Sequence, residues 1–192
     1  MTHMHPFSIA PQLFYLLPDP AWTALQPHLP TLAPQGRRTT SLRTRMEAIF
    51  HHAATPGAPW ASLPSHYGRP DTVARFFRRL THAGLWHRLL RALADAPPSH
   101  PLRLLQHAIC RPARLAARLG GMPLLILIRR LGLRAALPAP PWLLPDPLLS
   151  ETVARLLRTL PLTRENLRSL MAVARTAGGR RRIPRSVRLS WP

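Results

Sequence analysis

The sequence predicts an all-α protein: a small helical bundle containing a helix-turn-helix, followed by a further Arg/Leu-rich helical segment. Two observations lead there. Apolar residues recur at three- and four-residue spacing between 24 prolines, and no run sustains the alternation of a strand. The stretch from Trp60 to Leu80 places a short apolar piece, a turn at Tyr67-Gly68 and a strongly amphipathic segment in succession, the order of a helix-turn-helix.

Each element has its own signals. Asp19 as N-cap with Pro20 in the first turn opens a helix whose Trp22, Leu25 and Leu29 share a face. A second begins near Thr40 or Ser41, turns Leu42, Met46, Ile49, Phe50 and Ala53 inward, and ends at Pro56-Gly57. A short helix from Trp60 to Leu63 leads to the amphipathic one, with Asp71 as N-cap. There Val73, Phe76, Phe77 and Leu80 form the apolar face, and Thr72, Arg75, Arg78 and Arg79 the polar one. Gly84 is the stop, and Trp86, Leu89, Leu90 and Leu93 mark the next helix, closed by Pro97-Pro98.

Beyond Pro98 the composition shifts to Leu, Arg and Ala. Leu105, Ile109, Leu115 and Leu119 indicate a helix interrupted at Pro112, and Pro138 to Pro147, with Trp142, reads as an extended connector. Val153, Leu156, Leu157 and Leu160 predict a helix. The last has Thr163 as N-cap, Leu162 stapled to Leu167, Leu170, Met171 and Ala174 inward, and Gly178-Gly179 as stop. The expected organisation is a leader (1–16), a helix-turn-helix domain (17–97), a helical extension (98–177) and a basic disordered tail (178–192).

Charge narrows the partners. Among 192 residues, 27 are basic and seven acidic, a formal charge of +20, and a polyanion is the natural counterpart. All 27 are Arg, which suits bidentate phosphate recognition but also follows from a GC-rich coding bias, since Leu, Ala and Pro are inflated too. A single cysteine, Cys110, excludes a disulfide framework and a multi-cysteine zinc site, and fits a reducing, cytoplasmic setting. His107 and Cys110 lack the further ligands that zinc requires. No Gly-x-Ser-x-Gly motif and no phosphate-binding Gly-rich loop is present. The apolar run from Gly121 to Ile128 stops at Arg129-Arg130, far short of the ~20 residues of a membrane span. The expectation is a soluble protein with no catalytic residues, no metal, no cofactor and no membrane partner.

The first hundred residues resemble the N-terminal helical domain of bacterial insertion-element transposases of the DDE class, of the 402-like type. The resemblance runs from about Leu17 to Leu93. It is carried by Leu17-Pro18-Asp19 with Trp22, Leu25 and Leu29, by Gly57-x-Pro59-Trp60-x-x-Leu63-Pro64, and by the helix after Tyr67-Gly68 through Phe77-Arg78-Arg79, Gly84 and Trp86. Ala54-Thr55-Pro56 departs from the Arg-Thr pair usual in the family before that glycine, and Gly36-Arg37-Arg38 lacks its usual proline. The resemblance implies double-stranded DNA, at the terminal repeats of an insertion element, as partner. A full-length transposase or a second copy of this chain is a further one. Full-length relatives continue into an RNase H-like domain with three metal-holding carboxylates. Beyond residue 97 this chain has only Asp146, Glu151 and Glu165, none after a strand-like run.

The DNA-contacting candidates are therefore Arg37, Arg38, Arg43, Arg69, Thr72, Arg75, Arg78 and Arg79. Guanidinium groups on the polar face of a groove-sized helix meet phosphates or guanine edges. Arg37 and Arg38 suit an arm along the backbone or in a minor groove, and equally a solvated loop. The competing reading is a helical protein-interaction module whose charge serves only solubility.

Overall fold

A computed structural model of the chain describes residues 17–30, 41–161, 163–180 and 182–191. Among the described residues there are α-helices, single 3-10 turns and no strand, so the all-α class holds. The α-helices are α1 (Asp19–Leu25), α2 (Leu42–Ala54), α3 (Pro70–His82), α4 (Leu85–Asp95), α5 (Gln106–Arg130), α6 (Pro147–Thr159), α7 (Arg164–Gly178) and α8 (Arg185–Ser190). The first five pack around one apolar core. Its largest fully buried members include Trp86, Phe76, Met46, Ile49, Leu89 and Ile109.

Side-chain caps start three of these helices. Ser41 Oγ accepts from Thr44 N at 3.2 Å, Thr163 Oγ1 from Asn166 N at 3.2 Å, and Asp146 Oδ1 from Leu149 N at 3.1 Å, each satisfying a donor that a helix start leaves open. Two expected caps shift. Pro18 precedes α1 and Arg69 precedes α3, so Asp19 and Asp71 fall in the first turn, where a carboxylate still complements the helix dipole. The expected helix from Trp60 to Leu63 is a three-residue 3-10 turn, Trp60–Ser62, followed by another at Ser65–Tyr67. Pro59, Pro64 and Pro70 confine each piece to one turn, because proline has no N–H to extend a helix. No α-helix therefore precedes α3 across a short turn, and the upstream helix packed on it is α2.

The core does not stop at Pro97-Pro98. Leu102, Leu105, Ile109, Cys110, Ala113 and Ala116 join the same cluster as α2, α3 and α4, and α5 packs on all three. Arg103 strengthens the junction by donating to the carbonyls of Ala94 and Ala96 at the end of α4, where the helix dipole favours a cation. The composition boundary is not a packing boundary. The interruption expected at Pro112 lies instead at Gly121, whose φ of 58° and ψ of −149° are non-helical. An L-residue strains at that φ, whereas glycine does not. Pro123 then falls in the first turn after the kink, where its missing N–H costs nothing.

α6 and α7 form a hairpin that packs chiefly on itself. Val153, Leu170 and Ala177 are buried, while Leu157, Leu160, Leu167, Met171 and Ala174 are exposed, because two helices cannot cover both apolar stripes. Leu162, the expected staple partner of Leu167, lies outside the described residues. The hairpin leaves and rejoins the body at one place. Asp146 N donates to Ala177 O at 2.7 Å, and Arg180 N to Leu143 O at 2.9 Å. Gly179 permits this approach, since a Cβ there would sit 2.6 Å from the Leu144 carbonyl carbon.

The tail expected without structure carries α8. Pro184 starts it, Ile183 packs on the core, and Leu189 rests against Gly57. Trp191 meets Trp142 edge-on with ring centroids 6.0 Å apart, and its carbonyl accepts from Arg114 at 3.0 Å. These apolar and hydrogen-bonded contacts hold a segment whose composition alone suggests none.

Phe77 lies 5% exposed between Trp60 and Trp86, with ring centroids 5.6 and 5.7 Å away. Truncating Phe77 to Ala should cost roughly 3–5 kcal/mol of stability. Urea unfolding of the full chain checks this, and a midpoint equal to wild type would contradict the inward placement of that face.

Candidate nucleic-acid interface

α3 is built to show one face and bury the other. Pro70 occupies its first turn with Asp71, and Val73, Ala74, Phe76, Phe77, Leu80 and Thr81 are buried. Thr81 is the polar exception: its Oγ1 donates to Phe77 O at 2.9 Å and accepts from the indole Nε1 of the fully buried Trp86 at 2.9 Å. That relay satisfies the one polar atom of Trp86 inside the core. It also locks α3 to α4 across the Ala83-Gly84 turn. A column of rings, His52 stacked on Trp60 at 3.6 Å, then Phe77, then Trp86, runs beneath the helix.

On the outer face Thr72, Arg75, Arg78 and Arg79 are exposed, and Arg69 is exposed just before the helix. Thirteen residues make a rod about 20 Å long. Among the described residues, Arg69, Arg75, Arg78 and Arg79 make no ion pair. The guanidinium of Arg79 lies 5.7 Å from the centre of the Phe76 ring, and that of Arg45, from α2, lies 5.4 Å from the same ring. Burial, and after it the charge of Arg79, lowers the pKa of Arg45 from its ordinary value. An anion at this ring would relieve the repulsion between the two.

Arg43 behaves otherwise. Its guanidinium pairs with Asp19 at 2.7 Å and with Glu47 at 3.5 Å, and donates to Leu17 O; Glu47, 8% exposed, also accepts from Leu17 N at 3.1 Å. Arg43 thus ties the start of α1 to α2 and is turned away from α3. Arg37 and Arg38 lie outside the described residues. The structure therefore brings together Arg69, Thr72, Arg75, Arg78 and Arg79, leaves Arg43 apart, and adds Arg45. Arg43 and Arg45 flank the buried stripe of α2 on opposite sides, so spacing alone does not tell which of them faces α3.

The remaining chemistry-bearing residues are placed as structural groups. Asp146 caps α6 and pairs with Arg129 at 3.0 Å, Glu151 lies 3.7 Å from Arg130, and Glu165 is in the first turn of α7. Cys110 is fully buried, and burial pushes its thiol up to about 11, while His107 is exposed in the first turn of α5. No group of three or more His, Cys, Asp or Glu among the described residues is arranged to hold a metal. Among the described residues no helix is long and apolar enough to cross a membrane.

Residues 17–90 match the family model described as "Putative transposase of IS4/5 family (DUF4096)". The match covers the amino-terminal part of the chain, from the start of α1 into α4. It coincides with the resemblance read from the sequence, so this segment is similar to a transposase-family amino-terminal region. No curated protein and no solved structure matches the chain.

Four histidines make the fold acid-sensitive. Burial first, and neighbouring cationic groups second, lower the pKa of His28, His51, His52 and His87 from the ordinary 6.5. The folded state holds them neutral, whereas the unfolded chain takes up protons near pH 6.5. Stability is therefore fully present above pH 6.5 and declines as pH falls through 6.5 toward the lower folded values. Thermal melts from pH 7.5 to 5.5 should show a falling midpoint, with a shallower fall in His52→Gln. A pH-independent midpoint in both proteins would refute this.

Proposed function

We propose that the chain is a sequence-specific DNA-binding protein, related to the end-recognising part of an insertion-element transposase and lacking strand-transfer chemistry. The exposed strip of Arg69, Arg75, Arg78 and Arg79, on a helix whose other face is fixed in the core, is the observation that carries this reading. A major groove about 12 Å wide accepts such a helix, and guanidinium groups suit both phosphate oxygens and the O6/N7 edge of guanine. Arg45 joins the strip from α2 at its Phe76 side. The matched transposase-family segment contains the whole strip, which supports the terminal repeats of an insertion element as the target. A protein that recognises such ends without cutting them competes with an intact transposase, or pairs with it, in the cytoplasm.

A second reading has its own observation. Leu148, Leu157, Leu160, Leu167 and Met171 on the α6–α7 hairpin are exposed, as the face of a protein-interaction module would be. Duplex titrations at several salt concentrations separate the two. With about five guanidinium groups neutralising phosphates, log K should fall against log salt with a slope near −4 to −5. The Arg75→Ala/Arg79→Ala pair should flatten it by up to about two units if both touch phosphate. An arginine that reads a base should instead cost ~1–3 kcal/mol on the selected site and relax preference there. Equal affinity of wild type and double variant for selected and random duplexes would transfer the lead to the interaction reading.

A further inference from the structure

A cavity of about 550 Å³ opens on the other side of α3, where the loop after α2, the first half of α5 and α8 meet. Phe77 reaches its wall from a position 200° around the helix from Arg75 and from Arg79, so the cavity does not share the outer face. Its lining is unusual in charge. Arg111, Arg114 and Arg118 come from one stripe of α5, Arg185 and Arg188 from one side of α8, and no carboxylate of the described residues lines it. Two of the five are braced from behind. Arg114 donates to the carbonyls of Ala135 and Trp191, and Arg185 to Gly57 O at 3.5 Å. Arg118 and Arg188 complete the cationic wall.

The rest of the lining is largely apolar and aromatic. Half-buried Trp60, seated on His52, contributes indole surface, and Leu115 and Leu189 contribute aliphatic surface. The volume lies inside the roughly 300–1,000 Å³ of small-ligand sites. Bare phosphate would leave the aromatic wall unused, and an uncharged ring system would leave the guanidinium groups of Arg118 and Arg188 unused. Both walls are satisfied by a ligand that joins a flat ring to a phosphate.

We propose that this cleft binds a nucleoside phosphate, with Arg118 and Arg188 on the phosphate and the base against Trp60. The site is independent of the outer face of α3. Its ligand has two sources with the same chemistry: a free nucleotide, or an unpaired nucleotide at a DNA end.

The test uses the full chain and a fluorescent N-methylanthraniloyl-ADP probe. ADP should displace the probe at a concentration at least about tenfold lower than either pyrophosphate or adenosine, because only ADP engages both walls. Arg118→Gln/Arg188→Gln should weaken probe binding by about tenfold or more. Arg75→Ala/Arg79→Ala should leave it unchanged, whatever becomes of duplex binding. Trp60→Phe should keep the preference for ADP over pyrophosphate and Trp60→Leu should lose it. Should Trp60→Leu fail to fold, the competitor series on wild type and the arginine pair still decide. A 5′-phosphorylated overhang that displaces the probe better than a blunt duplex assigns the site to DNA ends, and displacement by ADP alone assigns it to free nucleotide. Pyrophosphate equalling ADP, or Arg118→Gln/Arg188→Gln having no more effect than Arg155→Gln/Arg168→Gln on the remote hairpin, would overturn the proposal.

Discussion

With 27 arginines and seven carboxylates, this chain cannot neutralise its guanidinium groups by ion pairing, and the fold depends on how it places them instead. The structural arginines reach for backbone carbonyls. Arg129 spans Asp146 and the carbonyls of Pro141 and Leu144, Arg88 holds those of His28 and Ala83, and Arg103 and Arg114 do the same elsewhere. A carbonyl takes a charge-assisted hydrogen bond without cancelling the charge. The irregular segments are thereby fastened while the molecule stays strongly positive.

The few carboxylates are correspondingly concentrated in structural tasks. Asp19 and Glu47 fix Arg43 where α1 meets α2, and Asp146 serves at once as helix cap and as partner of Arg129. Asp71 is the single carboxylate within α3, confined to its first turn, and no carboxylate of the described residues lines the α5–α8 cleft. A positive potential thus persists on two sides of one helix, held in place by the column of rings from His52 to Trp86.

Much of this was legible in the residue order. The inward faces of α2, α3 and α4 follow their apolar spacing, as the burial of Met46, Ile49, Phe76, Phe77, Trp86 and Leu93 demonstrates. The strip of Arg75, Arg78 and Arg79 follows as the complement of that face. What could not be read needed the assembled fold. The opposite fates of Arg43 and Arg45 depend on which neighbour lies on which side of α2. Phe77 lines a cleft because α5 and α8 converge there. The α5 arginines stand at spacings of three and four, a signal of one shared face, but α8 is more than sixty residues away. The helix runs on through Pro112 and breaks at Gly121, whose positive φ is open to glycine and strained for other residues.

The α6–α7 hairpin departs from and returns to a single point, closed by two backbone hydrogen bonds around Gly179. Topologically it is a detour. The segments on either side would meet at the same spot whether the excursion were longer, shorter or replaced outright, as at natural insertion points. The hairpin can therefore diverge in length and surface while α8 and its arginines keep their station, and the chain carries a region in which new surfaces can be tried without disturbing the old ones.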